Sequence, residues 1–321
     1  MSSPAASQIL VVSRSEPLAA AAAASLRQQH AVEVRPPPEA RDWLKGNHAD
    51  LALLEVDLHD LARGDFTGEL LEAVNTGDSS PVRNLIRCHD DVARVLQEDA
   101  VPRLGPEGEG QHPLELRRAV TRLLGPGRVG FAHYLDSNLW GHEFVVTCSE
   151  EREALIQAAQ EFARETGCHS RVAERVALAA DELLSNALYN APVDPDGQRR
   201  FASTSRREEV KLSPGEEIRF RLATDGKRVA VAVEDPFGSL TPETVLHYLA
   251  KGLARGDNQI DTKPGGAGLG LYSLFHHVHH FVLHLEPGKR TEAIGLVEVT
   301  RSFKAFASQP RSVQILVSRG A

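Results

Sequence analysis

The run Asp181-Glu182-Leu183-Leu184-Ser185-Asn186-Ala187 decides how the second half of the chain is read. It lies in a stretch over 170–189 whose apolar residues Val172, Val176, Ala179, Ala180, Leu183, Leu184, Ala187 and Leu188 recur with the helical period, which predicts an amphipathic helix. Pro192 stops it, since proline has no N–H to continue the hydrogen-bond ladder. Glu182 and Asn186 are four apart and share one helical face. A carboxylate so placed can take a proton from an attacking water or hydroxyl, and a carboxamide can offer a neutral oxygen to Mg²⁺. The same pair also occurs on solvated helix faces, so it assigns nothing alone.

Two further runs follow in order. Glu234-Asp235-Pro236-Phe237-Gly238 comes directly after a predicted hairpin, strands 218–223 and 228–233 joined by Thr224-Asp225-Gly226-Lys227. A carboxylate at a strand end can accept a hydrogen bond from an exocyclic amine such as that of adenine, and Gly238, without a Cβ, lets a flat ring approach the backbone. Asp, Pro and Gly are also ordinary turn residues. Gly265-Gly266-Ala267-Gly268-Leu269-Gly270-Leu271 then opens a helix predicted over 269–279. Glycines let backbone N–H groups turn toward phosphate, and a helix N-terminus adds a favourable dipole. No parallel βαβ unit leads into this loop and no Lys-Ser/Thr ends it, so it is neither a Rossmann fingerprint nor a P-loop.

Together the three runs resemble the histidine-kinase-like ATPase superfamily, which includes gyrase, Hsp90, MutL, the histidine kinases and the anti-sigma-factor serine kinases. Glu182-Leu-Leu-Ser-Asn186-Ala matches its N box, Asp235-Pro-Phe-Gly238 its first glycine box, and Gly266-Ala-Gly268-Leu269-Gly270-Leu its second. The resemblance covers about residues 140–305 and implies ATP and Mg²⁺ as cofactors. By it, Asp235 meets adenine, Asn186 holds Mg²⁺, Glu182 is the base or water-positioning residue, and Gly238, Gly266, Gly268, Leu269 and Gly270 contact the nucleotide. Residues 240–264 then fall where the family's ATP lid lies, carrying Lys251, Arg255 and Lys263. The chain departs from the family in two places. The basic residue or histidine that kinases often place after the N-box Asn is replaced by Tyr189 and Asn190, and no His-Glu/Asp-x-Arg/Lys-Thr/Asn-Pro phosphoacceptor motif precedes the domain. The helix pair before the N box is similar to that of the anti-sigma-factor serine kinases, whereas the Gly-Leu-Gly-Leu ending is similar to sensor kinases.

The remainder of this half supplies a strand at 142–147, a helix at 149–166 with Ser149 as N-cap, a polar segment at 193–216, a helix at 242–254, and strands at 281–285, 295–300 and 313–317. The pattern predicts an α+β two-layer sandwich, helices on one face of a mixed, mostly antiparallel sheet. Before it, strands at 9–12, 31–34, 51–56 and 82–86 alternate with helices at 17–29 and 113–124, predicting a doubly wound parallel α/β domain. Gly125-Pro126-Gly127 marks a boundary. The expected division is 1–125, a linker 126–140, and 141–321. The first part resembles a degenerate response-regulator receiver. Glu55 stands where that family has its acceptor Asp, Ser13 and Arg14 replace its acidic pair, and Val101 precedes Pro102 where its lysine is expected. The resemblance implies a pseudo-receiver that docks or dimerises, with Glu55 or Asp57 as the acceptor only in a minor alternative.

The bulk numbers set limits. The chain has 321 residues, 41% hydrophobic and 25% charged, enough for two cores, and its net charge of -8 gives no basic footprint for nucleic acid. No apolar run reaches membrane-span length, and the alanines 19–24 lack a cationic start, so neither a membrane segment nor a signal peptide is expected. Cys88, Cys148 and Cys168 are sparse and unpaired in spacing, which suits a reducing compartment and a cytoplasmic location. His276 and His280 are spaced to share a helical face but have no third ligand; helix surface or packing is the favoured reading. The basic run Arg199, Arg200, Arg206, Arg207 and Lys211 reads as a solvated loop, and Trp43 and Trp140 read as core. The expectation is a signalling regulator that acts on a protein partner, a signalling regulator or anti-anti-sigma-like protein, as a Mg-ATP-dependent serine/threonine-type kinase or anti-sigma-type factor and as a monomer or homodimer. A non-catalytic module using ATP as an allosteric ligand, and a slow ATPase, stay open beside it.

Overall fold

A computed structural model describes residues 7–64, 67–74, 83–93, 96, 111–125, 130–135, 139–255 and 269–318. The chain is mixed α/β and divides into two compact units, residues 1–129 with 314–321, and residues 130–313. Among the described residues no helix is long and apolar enough to cross a membrane.

In the first unit, β1 (Gln8–Ser13), β2 (Ala31–Arg35), β3 (Leu51–Asp57) and β4 (Arg83–His89) pair in parallel in the order β2-β1-β3-β4. The central strands are unbroken apolar runs because helices cover both faces, and Ile9 to Val12 and Leu51 to Leu54 are fully buried. Helix α1 (Glu16–Leu26) contributes Leu18, Ala19, Ala22, Ala23 and Leu26 to this core. Helix α2 (Pro37–Leu44) was not expected from the prolines at 36–38, yet Pro37 at its first turn is compatible with a helix start, where no N–H is needed. Short helices α3 (Leu58–Arg63) and α4 (Thr67–Glu72) follow β3, and α5 (Gln111–Leu124) follows β4. The register sets Glu55 directly beside Arg87 on the neighbouring strand. Glu55, 2% exposed, accepts from Arg87 Nη1 at 2.9 Å and bonds His89 Nε2 at 2.6 Å.

The second unit is built on β5 (Trp140–Val146), β6 (Ile218–Thr224), β7 (Arg228–Asp235), β8 (His280–Glu286) and β9 (Arg290–Glu298), in the order β5-β6-β7-β9-β8. The four pairings among these strands are antiparallel, in line with the mostly antiparallel sheet expected. Short turns at Gly226 and Gly288, both with positive φ, fold the hairpins back. Helices α6 (Arg152–Glu165), α7 (Ser170–Ser185), α8 (Pro242–Arg255) and α9 (Leu269–His277) belong to the same unit, and α7 packs against both α6 and α9. The apolar stripe read from the sequence is the buried stripe of α7, from Val172 through Leu184.

Several local expectations change. Ser149 does not cap α6: its hydroxyl accepts from Val210 N at 2.9 Å, while Glu151 reaches back to the N–H groups of Thr147 at 2.9 Å and Cys148 at 3.1 Å, and the helix starts at Arg152. Trp140 is 47% exposed rather than core, lying on Phe162 with ring centroids 4.7 Å apart. His276 and His280 do not share a helix, because α9 ends at His277 and His280 begins β8. Helix α10 (Phe303–Ser308), capped by the Ser302 hydroxyl, was not read from the sequence. The strand expected at 313–317 is β10 (Ser312–Ser318), which takes the place next to β4, so residues 314–321 group with the first unit and not with 141–313.

The buried Glu55–Arg87 pair gives a direct test. Arg87→Leu leaves a buried carboxylate short of its cation and is expected to lower stability by about 3 kcal/mol or more. Urea unfolding measures this, and a midpoint equal to that of the parent chain contradicts the assignment.

Candidate functional site

The hydrogen bonding of α7 widens after Ser185. Residues Asn186–Asn190 form a π-helical turn, closed by Ala191 N donating to Asn186 O at 2.9 Å. One effect is that Asn190 Nδ2 reaches Asn186 Oδ1 at 2.8 Å. Such turns recur at functional sites because they rotate side chains out of the regular helical register.

This turn borders a cavity of ≈ 620 Å³ within the second unit, in the size range of small-molecule sites. Glu182 and Asn186 from α7, Asp235 from β7 and Gly270 from α9 all line it, so the three sequence runs meet at one cleft. The contact with α9 is close. A Cβ added at Gly270 would stand 2.5 Å from Glu182 Oε2 and 3.9 Å from Asn186 Nδ2, so a side chain there would displace the Glu182 carboxylate. Asn186 Nδ2 is itself buried without a hydrogen-bond partner.

The cavity lining mixes apolar and charged side chains. Asp235, the last residue of β7, is 5% exposed and lies across from Thr291 on β9. Its Oδ1 accepts from Phe237 N at 3.0 Å and Gly238 N at 3.4 Å. Burial pushes its carboxyl up to about 7, against the opposing effect of those N–H groups. Val233, Ala293 and Leu283, neighbours across the strands that carry Asp235 and Thr291, add apolar lining, as do Leu240 and Phe281. Arg152, Asp181, Glu182 and Arg206 add charged lining. Arg152 Nη2 bonds Asp181 Oδ1. The half-buried Glu182 is raised above the ordinary carboxylate range by burial and by its neighbour Asp181, with Arg206, the Ser273 hydroxyl and Arg152 pulling the other way.

Ser273 belongs to a hydrogen-bonded chain whose direction is fixed. Arg175 Nη1, which can only donate, lies 3.1 Å from His277 Nδ1, and His277 Nε2 lies 3.1 Å from Ser273 Oγ. Burial, then the Arg175 charge, lower His277 to about 4, so the ring is neutral at pH 7 with its proton on Nε2. That N–H donates to Ser273, whose hydroxyl helps to hold the Glu182 carboxyl down against the effect of burial.

Not every expected residue faces the cleft. Gly238 does not line the cavity. Its φ is +58°, and a Cβ there would stand 2.5 Å from Lys289 N and 2.6 Å from Arg290 N, so the glycine serves the packing of the β8–β9 turn and not the approach of a flat ring. Gly266, Gly268 and Lys263 lie outside the described residues; Leu269 is the first residue of α9, and Lys251 sits 6.0 Å from the Tyr248 ring.

The basic segment 193–216 is not a loose solvated loop. Arg200 pairs with Glu216 at 2.8 Å, Leu212 N donates to Thr147 O at 2.8 Å, and Val210 is buried. Arg199 and Arg206 line the cavity, as does Arg152 from α6. Arg199 and Arg206 belong to a run that reads as surface from its charge alone, and nothing in the sequence marks Arg152.

No protein-family model matches the chain, and no curated protein matches it. The geometry alone therefore carries the reading, and it makes a prediction. Ser273→Ala removes a donor to the Glu182 carboxylate and is expected to raise the Glu182 pKa further, followed by ¹³C-carboxyl NMR through a pH titration. An unmoved titration removes the Arg175–His277–Ser273 chain from the account.

Proposed function

We propose that the second unit binds ATP with Mg²⁺ as a domain of the histidine-kinase-like ATPase superfamily, and that the chain is an ATP-dependent kinase or anti-sigma-type regulator of a protein partner. The supporting observation is the convergence of Glu182, Asn186, Asp235 and Gly270 on one cavity that apolar side chains and the arginines Arg152, Arg199 and Arg206 also line. Adenine fits beside Asp235, where the carboxylate accepts from the exocyclic amine and apolar side chains cover the ring. The phosphates then lie toward Arg152, Arg206 and the start of α9.

The donor set fits Mg²⁺ through one carboxamide. Turning over both amides of the Asn186–Asn190 pair preserves their hydrogen bond and makes the unpartnered Asn186 atom an oxygen. Mg²⁺ asks for no more protein oxygens than this when it keeps water and phosphate ligands, and it would supply charge neutralisation at the phosphates. Glu182, raised above the ordinary carboxylate range by burial and by Asp181, suits a general base. It takes the proton of a partner's hydroxyl as that oxygen bonds the γ-phosphorus and the bond to the β–γ bridging oxygen breaks, leaving ADP and a phosphorylated partner.

For the first unit we infer a pseudo-receiver that docks a partner. The order β2-β1-β3-β4 with β10 beside β4 is that of flavodoxin-like sheets. Glu55, at the acceptor position, is held by Arg87 and His89, and Asp57 caps α3 by accepting from His59 N at 2.8 Å. Neither carboxylate is presented as a phosphoacceptor.

Two substitutions test the site. Asp235→Asn is expected to weaken ATP binding about tenfold or more by calorimetry. In the parent chain, affinity should fall as pH drops below about 7, where Asp235 takes up its proton. The stability effect has the opposite sign. A carboxyl raised in the folded state stabilises it below the unfolded value of 3.8, and that contribution is lost as pH rises through about 7. Asp235→Asn should therefore melt above the parent chain at pH 8 while binding ATP less tightly. Equal ATP affinity in the two proteins argues against the whole site.

Glu182→Gln is expected to retain ATP affinity within a few-fold and to reduce label transfer from γ-labelled ATP to a partner protein by about 10²-fold or more. Tight binding by the parent chain with neither hydrolysis nor transfer identifies a module that uses ATP as an allosteric ligand.

A further inference from the structure

Arg206, whose charge acts on Glu182, lies outside the helix that carries Glu182. Arg206 belongs to the segment 193–216, and its guanidinium lies over the Tyr189 ring at 4.2 Å. Tyr189 also fixes the backbone beneath it, its hydroxyl lying 3.4 Å from the carbonyl oxygens of Arg206 and Glu208. The segment is pinned further along, where Val210 N donates to Ser149 Oγ at 2.9 Å and Leu212 N to Thr147 O at 2.8 Å. Arg206 lines the cavity, yet its Nη1 is buried with no hydrogen-bond partner.

These facts point to an anion. A guanidinium stacked on an aromatic face presents its N–H groups edge-on in a rigid fork, the geometry that grips phosphate oxygens in pairs. A buried donor without an acceptor is a standing cost that a bound oxygen removes. Of the other arginines that line the cavity, Arg152 is engaged by Asp181. Arg206 acts electrostatically on Glu182 and Asp181, the carboxylates next to the Asn186 turn.

We propose that Arg206, oriented by Tyr189, is the phosphate-binding cation of this site, so that the segment 193–216 confers preference for a nucleoside polyphosphate over the bare nucleoside. Tyr189 occupies the stretch where family kinases carry their own positive charge, and here it serves as the platform on which a charge from a distant segment is laid. This inference rests on the nucleotide reading above, and the experiment separates the two.

Calorimetry of the full chain with ATP, ADP and adenosine, each with Mg²⁺, is carried out on the parent protein, Arg206→Gln, Arg206→Lys and Tyr189→Phe. Arg206→Gln is expected to weaken ATP at least tenfold and to leave adenosine within twofold. Arg206→Lys keeps the charge without the fork and should fall between the two. Tyr189→Phe keeps the stack, loses the bonds to the segment, and should weaken ATP by a few-fold only. ATP binding by the parent chain that Arg206→Gln leaves unchanged, or an equal loss for ATP and adenosine, overturns the role of Arg206 and leaves the nucleotide site standing. A parent chain that binds none of the three ligands overturns both.

Discussion

A carboxylate taken out of water needs a cation, a set of donors or a proton, and Asp235 must meet this condition in the wall of a cavity. It has two backbone N–H groups from the turn that follows it and no salt bridge among the contacts described. The rest of the second unit holds that position still. β7 lies between β6 and β9, so its end cannot swing, and the turn after Asp235 is pressed against the β8–β9 turn through Gly238. The carboxyl is left close to its own titration point near neutral pH. A site that ionises more readily when a donor arrives discriminates by chemistry as well as by shape.

At Asp181 and Glu182 the same physics is resolved with charges in place of donors. Asp181 takes Arg152, and Glu182 shares the field of Arg206 and the hydroxyl of Ser273. Behind Ser273, His277 and Arg175 permit one direction of hydrogen bonding only, so Ser273 accepts from the ring and its own proton is not spent there. The fold thus separates two carboxylates with raised pKa values along one cleft and gives them different neighbours. That is the arrangement by which two chemically similar groups take different tasks.

Much of this was legible in the sequence because it depends on short-range rules. The apolar period of α7 set its buried face, and Asp225-Gly226 set the β6–β7 hairpin. The parallel strands of the first unit were legible as unbroken apolar runs. What stayed hidden depends on contacts distant in sequence. Arg206 becomes a site residue only through Tyr189 and the stitching of 210–212 to 147–149. Gly238 was read as open space for a ligand, but its neighbours, Lys289 and Arg290, are some fifty residues away along the chain. The π-turn at Asn186–Asn190 left no mark, since Pro192 would end either kind of helix. The sheet to which β10 belongs is not a property of β10's own residues.

That last strand has a consequence for how the protein is made. β4 and its neighbour β10 are separated by more than two hundred residues of chain, including the whole of 130–311. At about 5–20 residues per second, a ribosome leaves the side of β4 without its neighbour for on the order of ten seconds or longer. Bare strand edges invite pairing with other chains. Nascent copies on one message are therefore most vulnerable to mutual association during that interval, and a chaperone covering that edge would have its greatest effect before the last ten residues emerge.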